Sequence, residues 1–414
     1  MSISNKIRNF DIENIFFFIP LLLVTGPFLP DLGLTILSFY GIYLIIKKKI
    51  DYKKYQIFSG LSILLIALFL ISSLISNYIF DSLKYPITYF RYTFFTFAII
   101  YFLQTKKDFF RNFFFIFFFI YSFVLIDAVI QFIFLKDLFL IPKPSNLRVT
   151  AMFGDELILG SYISRLFPIY LISLIFINKK YNFTKYINIP LILITVLVVS
   201  ISGERTAVFS LLIIFAFCLF FKNFFQKNFF IATILAILLL TLIINKNEFV
   251  KERFYIETKN QIAETLQGKH IISKFHHAHY VTAMKIFKDN VFFGVGPKSY
   301  RFECNNIKYN IPYACSTHPH NTYIQLLSET GIFSFIIVFL IFLFCSYKIF
   351  KIKLNQEQNI SNDVNFFLYI ALFISLWPLS PTGSFFNNWL NVIYYLPIAF
   401  ILYLDEKNKN FTYL

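Results

Sequence analysis

Long runs of apolar residues alternate with short polar connections along most of the chain. A helix needs roughly 20 apolar residues to cross about 30 Å of hydrocarbon, and the runs come close enough to that length to predict twelve membrane-spanning helices. The first run leads directly into the second without a small-residue cleavage site, so we interpret it as a retained helix. The predicted spans lie at about 13–29, 31–46, 57–76, 85–104, 112–135, 158–178, 187–202, 206–221, 229–245, 325–347, 365–380 and 387–404.

The composition agrees with this pattern. Hydrophobic residues make up 57% of the 414 residues and charged residues only 14%, whereas a soluble domain carries about 25% charged residues. These values exclude a soluble globular protein, a disordered chain, a collagen-like repeat and a disulfide-dense secreted module. We therefore expect an all-α polytopic membrane protein.

The net charge of +16 has two explanations, nucleic-acid binding or membrane topology. Lys and Arg collect on the cytoplasmic loops of membrane proteins. If the N-terminus is cytoplasmic, the inner segments carry 20 Lys and Arg residues and the short outer connections carry 5. This bias predicts that both termini are cytoplasmic, with no nucleic-acid partner. The inner segments are 1–12, 47–56, 105–111, 179–186, 222–228, 348–364 and 405–414.

One outer connection, residues 246–324, is far longer than the others and separates spans 1–9 (residues 1–245) from spans 10–12 (residues 325–414). A loop this long is usually functional. An amphipathic stripe predicts one helix in it, and a second short helix is expected at about 252–266. The stripe consists of Tyr280, Ala283, Met284 and Phe287. All six histidines lie in this loop: His270, His276, His277, His279, His318 and His320.

Two cysteines of the long loop, Cys304 and Cys315, are eleven positions apart. On an oxidising face such a pair can form a disulfide, which would close a short loop just before His318 and His320. A zinc site made of these thiols and histidines is the alternative. The chain has neither H-E-x-x-H nor C-x-x-C, so no metal is expected.

Arg205, in the segment Ser202–Ala207, lies at the outer end of one predicted span and the start of the next. A guanidinium there can hold a phosphate through two parallel hydrogen bonds. It can also reach lipid headgroups or pair with Glu204. Four further arginines could join it in an outward-facing basic cavity for an anionic lipid-linked substrate, although each alone suits an interfacial anchor: Arg91, Arg148, Arg165 and Arg301.

The segment Ser316–Tyr323 carries the most specific pattern, with His318, His320 and Asn321 just before the tenth span. A neutral histidine near the membrane surface can take a proton from an attacking sugar hydroxyl. Asn321 could orient its neighbour or bind a sugar. The alternative is a capping turn in which His320 is merely polar.

Three blocks of the chain resemble the O-antigen ligase and polymerase superfamily, polytopic glycosyltransferases of the bacterial envelope. The first is Ser202–Ala207, similar to a short Arg motif after a span. The second runs from Ala283 through Asp289 to Pro297. The third joins His318–Tyr323 to the sequence Glu329-Thr330-Gly331. They cover about 187–340, and the stretch from Phe153 to Arg165 is also similar to family members.

The resemblance implies transfer of a glycan from undecaprenyl pyrophosphate to an acceptor hydroxyl, with inversion and without a metal or cofactor. Arg205 would bind the pyrophosphate, and His320 would activate the acceptor. The family often has a second Arg early in the loop helix, where this chain has histidines, so one of these or Arg301 would replace it. Further residues expected to contact the substrate are Arg301, His318, Asn321, His279, Arg165 and Arg91.

Four functions follow as alternatives. A ligase would join O-antigen to lipid A–core, and a polymerase would extend the glycan on its lipid carrier. A lipid-linked glycan transporter predicts inverted repeats and midplane charges, which the sequence lacks. A non-catalytic scaffold would leave Arg205 and His320 dispensable. For the ligase, we expect a bacterial inner-membrane location among membrane lipids, with the active site facing the periplasm.

Overall fold

The computed structural model describes residues 11–144, 148–181, 187–221, 225–270, 273–354 and 360–410, and these ranges form helices and turns without a β-strand. The helices before the long polar segment are α1 (Glu13–Leu22), α2 (Phe28–Ile46), α3 (Gln56–Leu74), α4 (Ile79–Thr105), α5 (Phe109–Phe134), α6 (Leu159–Lys180), α7 (Asn188–Ile201), α8 (Arg205–Phe220) and α9 (Gln226–Lys246).

The polar segment itself contains short helices. They are α10 (Glu248–Lys251), a π-helical turn (Glu252–Ile256), α11 (Glu257–Leu266), α12 (Lys274–Asp289) and α13 (Tyr300–Glu303). The last three helices are α14 (Thr322–Leu354), α15 (Ile360–Ser375) and α16 (Asn388–Asn410). Both helices predicted within the segment are therefore present, at α12 and at α10–α11.

Each of the twelve predicted spans overlaps one helix of the described chain. By length and composition, six helices can cross a membrane: α2, α3 with the turn before it, α5, α6, α9 and α14. Four other apolar helices are shorter, namely α1, α7, α8 and α15. These features agree with a multi-pass membrane protein, and the number of twelve crossings stays a prediction.

The first predicted span differs most from the structure. It was expected over residues 13–29, but α1 ends at Leu22, after 10 residues. Such a helix is about 15 Å long, half of the hydrocarbon thickness. The chain then turns at Gly26, whose φ is +95°, and Pro27 precedes α2. Glycine permits this left-handed turn at no steric cost.

The side of the membrane on which each connection lies stays a prediction. The predicted cytoplasmic segments 47–56 and 105–111 are described by the structure and connect α2 to α3 and α4 to α5. Five other segments fall partly outside the described residues: 1–12, 179–186, 222–228, 348–364 and 405–414.

Helix α6 forms the centre of the bundle and packs against α5, α7, α8 and α15. Its side chains are buried almost throughout, because it has neighbours on all sides. Aromatic rings fill much of this core, and the rings of Tyr121 on α5 and Tyr170 on α6 stack with centroids 4.2 Å apart. The polar side chains of α6, such as Arg165 and Asn178, are therefore buried together with its apolar ones.

Backbone hydrogen bonds dock the turn at residues 294–297 onto α14. The Val295 N–H donates to the Ser328 carbonyl at 3.1 Å, and the Gly296 N–H donates to the Glu329 carbonyl at 2.8 Å. The second and third sequence blocks that resemble the family are therefore joined directly by backbone hydrogen bonds.

The side chain of Glu329 strengthens this junction. Its carboxylate is fully buried and accepts the N–H groups of Lys298 at 2.8 Å and Tyr300 at 3.2 Å. The Gln325 amide donates to the same carboxylate at 2.8 Å. A buried carboxylate needs such partners, since burying it unpaired would be strongly unfavourable.

Two glycines make the close approach possible. Gly331 has φ +77° and interrupts the helical geometry of α14. A Cβ added there would overlap the Phe292 backbone, and one added at Gly294, φ +64°, would overlap the Glu329 backbone. No other residue type combines this backbone geometry with this lack of space.

We predict that Gly331→Ala and Gly294→Ala each destabilise the protein by at least about 2 kcal/mol, because left-handed strain and a backbone overlap act together. Thermal unfolding of the purified protein in detergent would measure the loss. Gly60→Ala is the control, since its added Cβ meets nothing within 4 Å. Unfolding temperatures equal to that of Gly60→Ala would contradict this account of the junction.

Candidate active site

Four histidines from two parts of the chain meet in one cluster. His318 and His320 lie in the turn before α14, and His276 and His279 lie on α12. The His320 ring centroid is 4.2 Å from that of His318, 5.2 Å from that of His279 and 5.8 Å from that of His276. The predicted residues His279, His318 and His320 are therefore neighbours.

The surrounding turn holds His320 in a strained conformation. Its φ is +57°, a value that residues other than glycine seldom adopt. The His320 carbonyl accepts the Thr382 N–H at 2.8 Å, and its Nε2 lies 3.0 Å from the Ser316 hydroxyl. The ring of His318 is fixed in turn, with Nε2 3.2 Å from the Thr382 carbonyl. Strain of this kind often accompanies functional sites.

The environment keeps the imidazoles of His318 and His320 neutral. Burial lowers the pKa of His320 to about 3, and the neighbouring histidines His318, His279 and His276 lower it in the same direction. Burial also lowers the pKa of His318 to about 4. A neutral imidazole can accept a proton, so His320 has the protonation state that a general base needs at neutral pH.

The two loop cysteines lie together just ahead of this cluster. Cys304 and Cys315 are joined, with their Cα atoms 5.2 Å apart. The adjacent Ala314 carbonyl accepts the Tyr300 hydroxyl at 2.6 Å and lies 2.7 Å from His279 Nδ1. The cross-link thus anchors the end of the turn that contacts His279.

The Asn321 side chain caps the start of α14. Its side-chain oxygen accepts the N–H groups of Tyr323 at 3.0 Å and Ile324 at 3.1 Å, and its amide donates to the Pro378 carbonyl at 2.7 Å. This is helix capping. A role of Asn321 in sugar binding stays a prediction, while its position next to His320 is set by these bonds.

A second cluster surrounds Arg205, the first residue of α8. The Arg205 guanidinium donates to the Gln261 side-chain oxygen at 2.9 Å and lies 3.9 Å from the Glu257 carboxylate. Arg253 contacts the same carboxylate at 2.6 Å and donates to the Gly203 carbonyl at 3.3 Å. Arg205 is therefore linked to the segment around α11.

Glu204 has another role. Its carboxylate accepts the Gly160 N–H at 2.6 Å, the Ser161 N–H at 3.0 Å and the Ser161 hydroxyl at 2.8 Å. These donors belong to the first turn of α6, where a carboxylate is favourable. The sequence also allowed an ion pair between Arg205 and Glu204. Among the described residues the ion-pair partner of Arg205 is Glu257 instead.

The two clusters influence each other through His276. Burial lowers the pKa of His276, and the charges of His279 and Arg205 lower it further. His276 is thus a ring neighbour of His320, 5.8 Å away, and lies close enough to Arg205 for the charge of the guanidinium to act on it. A site with a neutral base on one side and a cation on the other suits a reaction that deprotonates a nucleophile and releases an anion.

The other predicted arginines occupy different places. Arg91 and Arg165 line a cavity of about 740 Å³, together with Lys84 and Lys298. Arg91 pairs there with Asp31 at 2.9 Å. Among the described residues, Arg205 and Arg301 do not belong to its lining, so this cavity does not unite all the arginines that the sequence suggested.

Arg165 and Arg301 have backbone partners in the described chain. Arg165 is buried and donates to the Ser375 carbonyl at 3.0 Å. Arg301 donates to the Thr317 carbonyl at 3.4 Å and is therefore adjacent to the histidine turn. Within the described ranges, no group of three or more His, Cys, Asp and Glu side chains is placed to hold a metal ion.

The comparisons with known proteins address this part of the chain. Residues 190–339 match the O-antigen ligase family. This confirms the resemblance to the O-antigen ligase and polymerase superfamily. A search of curated proteins finds no match. The family supports a ligase or polymerase type of function, with a lipid-linked glycan and an acceptor as its substrates in general.

The matched region, 190–339, contains the four clustered histidines and the residues around Arg205 that are described above, whereas Arg91 and Arg165 precede it. Sequence reasoning missed Arg253, Glu257 and Gln261, although a signal was present. Their spacing of four residues places them on one face of a helix. The sequence predicted a short helix at about 252–266 but not its role, because the partner of that face is distant in sequence.

The low pKa of His320 predicts a specific loss of stability in acid. The unfolded chain binds a proton at this histidine below about pH 6.5, whereas the folded protein does not until about pH 3. Stability therefore falls as the pH drops from 7.5 to 5. The unfolding temperature of His320→Gln should fall less over this interval than that of wild type. An equal fall of the unfolding temperature in His320→Gln and wild type would refute the neutral buried imidazole. His277→Gln is the control.

Because Cys304 and Cys315 are linked, we predict that changing either cysteine moderately lowers the glycan-transfer activity that the resemblance implies. Cys304→Ser, Cys315→Ser and the double variant should lose activity equally, since each removes the same cross-link. Protease cleavage of the loop should increase in all three. Full activity with unchanged protection would refute the role of the cross-link, as would additive losses in the double variant.

Proposed function

We propose that this protein is an inner-membrane O-antigen ligase that transfers a glycan from undecaprenyl pyrophosphate to a hydroxyl of lipid A–core. The observation that carries the proposal is that His276 is a ring neighbour of His320, at 5.8 Å, and also lies within reach of the charge of Arg205. The family match supports the class of reaction.

In the proposed reaction, the acceptor hydroxyl transfers its proton to His320 as its oxygen attacks the anomeric carbon of the donor sugar. The bond between that carbon and the pyrophosphate oxygen breaks, and the pyrophosphate leaves on the lipid with the bonding electron pair. Arg205 stabilises the charge that develops on this leaving group. Attack opposite the leaving group inverts the anomeric centre, and the donor already carries the activation.

The charge distribution supports an outward orientation. The Lys and Arg bias favours cytoplasmic termini and an outer position for the segment between α9 and α14. The site would then face the periplasm, where the lipid-linked donor is presented.

A polymerase is the second candidate, because it would use the same donor and the same family match supports it. It differs only in the acceptor, a growing glycan on its lipid carrier. A transporter is less well supported, since Arg205 and the turn that carries His318 and His320 lie at helix ends rather than at helix centres.

We predict that Arg205→Ala and His320→Ala abolish transfer, because one removes the charge stabilisation and the other the base. Each variant would be expressed in cells lacking the natural protein, and lipopolysaccharide would be compared on a gel. Membrane levels of each variant would be checked by immunoblot. His277→Ala is the control, as it lies on the same loop helix and its ring is 5.5 Å from that of His270.

The same gel separates the two candidates. Long glycan accumulating on the lipid carrier beside bare lipid A–core, in cells lacking the protein, would support the ligase. Single repeat units on the core would support the polymerase instead. Normal lipopolysaccharide in both the Arg205 and the His320 variants would overturn the catalytic assignment.

A further inference from the structure

Three guanidinium groups from distant parts of the chain converge beside Gly203. Arg148 precedes α6, Arg205 begins α8, and Arg253 lies in the π-helical turn before α11. Burial lowers the pKa of Arg148, and the charges of Arg253 and Arg205 lower it further. The three cations are therefore close enough to repel one another.

Gly203 allows this convergence. Its φ is +70°, and an added Cβ would lie 2.9 Å from the Phe249 ring and 3.4 Å from Arg148 Nε. Its carbonyl accepts the Nε–H of Arg253. The backbone at this point thus brings the loop arginine next to α8.

The Glu257 carboxylate is the anion that these arginines share. It is 2.6 Å from Arg253 and 3.9 Å from Arg205, and its charge also favours the charged form of Arg148. One carboxylate balances only part of three positive charges. Glu204 adds a second negative charge, which favours the charged form of Arg148 more than the charge of Glu257 does, although its oxygens bond the first turn of α6. Two carboxylates still leave part of three positive charges unbalanced.

We propose that Arg148, Arg205 and Arg253 form a diphosphate-binding site in which Glu257 occupies the anion position until the donor displaces it. This inference rests on the proposed function and extends it. It assigns the second phosphate contact to Arg253, with Arg148 beside it, rather than to Arg301 or a loop histidine.

The chemistry favours the exchange. A carboxylate and a phosphate present similar oxygen pairs to a guanidinium, and a diphosphate brings more negative charge. The Glu257 side chain is 35% exposed, so its ion pairs are weak in comparison with those of a bound phosphate. In the unliganded protein, the arginines repel one another, and the Glu257 carboxylate keeps them together.

The segment that carries Glu257 can move at little cost. Helix α11 has no buried side chain, and it follows a π-helical turn. Such turns are frequent at functional sites. Donor binding would therefore release α11 from Arg205 while Arg253 exchanges its carboxylate partner for a phosphate.

Binding of farnesyl diphosphate to the purified full-length protein in nanodiscs tests this inference, with farnesol as the control ligand. We expect Arg253→Ala to weaken binding about tenfold or more, the effect of losing a charge-assisted contact. Arg148→Ala should weaken it in the same direction, and Arg301→Ala should weaken it less than Arg253→Ala. Lys259→Ala, on the same exposed helix, is the matched control.

Glu257→Gln distinguishes displacement from simple attraction. It keeps the size of the side chain and removes the competing charge, so we expect binding to tighten about two- to fivefold, the range of an exposed ion pair. Hydrogen exchange over residues 257–266 should rise when the ligand is added to wild type. Unchanged affinity in Glu257→Gln, or unchanged exchange, would overturn the displacement.

The arginine variants separate this inference from the function on which it rests. Weaker binding in Arg205→Ala with wild-type binding in Arg253→Ala and Arg148→Ala would overturn the three-arginine site and leave the proposed function standing. Wild-type binding in Arg205→Ala would count against the proposed role of Arg205 itself. Arg253→Lys guards against misfolding, because it keeps the charge and loses the paired hydrogen bonds.

Discussion

The buried carboxylate of Glu329 is the group on which the arrangement of the long polar segment depends. It lies on α14 with no exposed surface and receives N–H groups from Lys298, Tyr300 and Gln325. Each donor satisfies a charge that the apolar surroundings would otherwise penalise. Since Lys298 and Tyr300 follow the Gly296 turn directly, the carboxylate determines where that turn meets α14.

Gln325 extends this constraint to the other side of α14. Its oxygen accepts the Phe385 N–H at 2.8 Å, and its amide also contacts the Ser384 hydroxyl. The same connection supplies Thr382, which bonds the backbone of His320. The histidine turn is therefore held by the long segment on one side and by the α15–α16 connection on the other. Such preorganisation lets a base act without reorganising at the moment of reaction.

The site has a neutral part around His320 and a positively charged part around Arg205. His320 is surrounded by other imidazoles and apolar groups, which keep it neutral. The arginines around Glu257 are partly exposed and stay charged, with Arg205 28% exposed. A base and an anion site would interfere if they touched, since a cation beside His320 or an anion near it would alter its affinity for protons. His276 is the histidine that neighbours His320 and also responds to the charge of Arg205.

The positions of the helices could be predicted from the sequence, because apolar runs and the stripe on α12 are local patterns. It also singled out His318, His320 and the pair Cys304 and Cys315, which are close along the chain. Packing alone decided which arginines meet. Arg148, Arg205 and Arg253 are about fifty residues apart, and no local pattern links them. Their meeting depends on how α6, α8 and α11 pack, and tertiary contacts of that kind are set by the whole bundle rather than by any one segment.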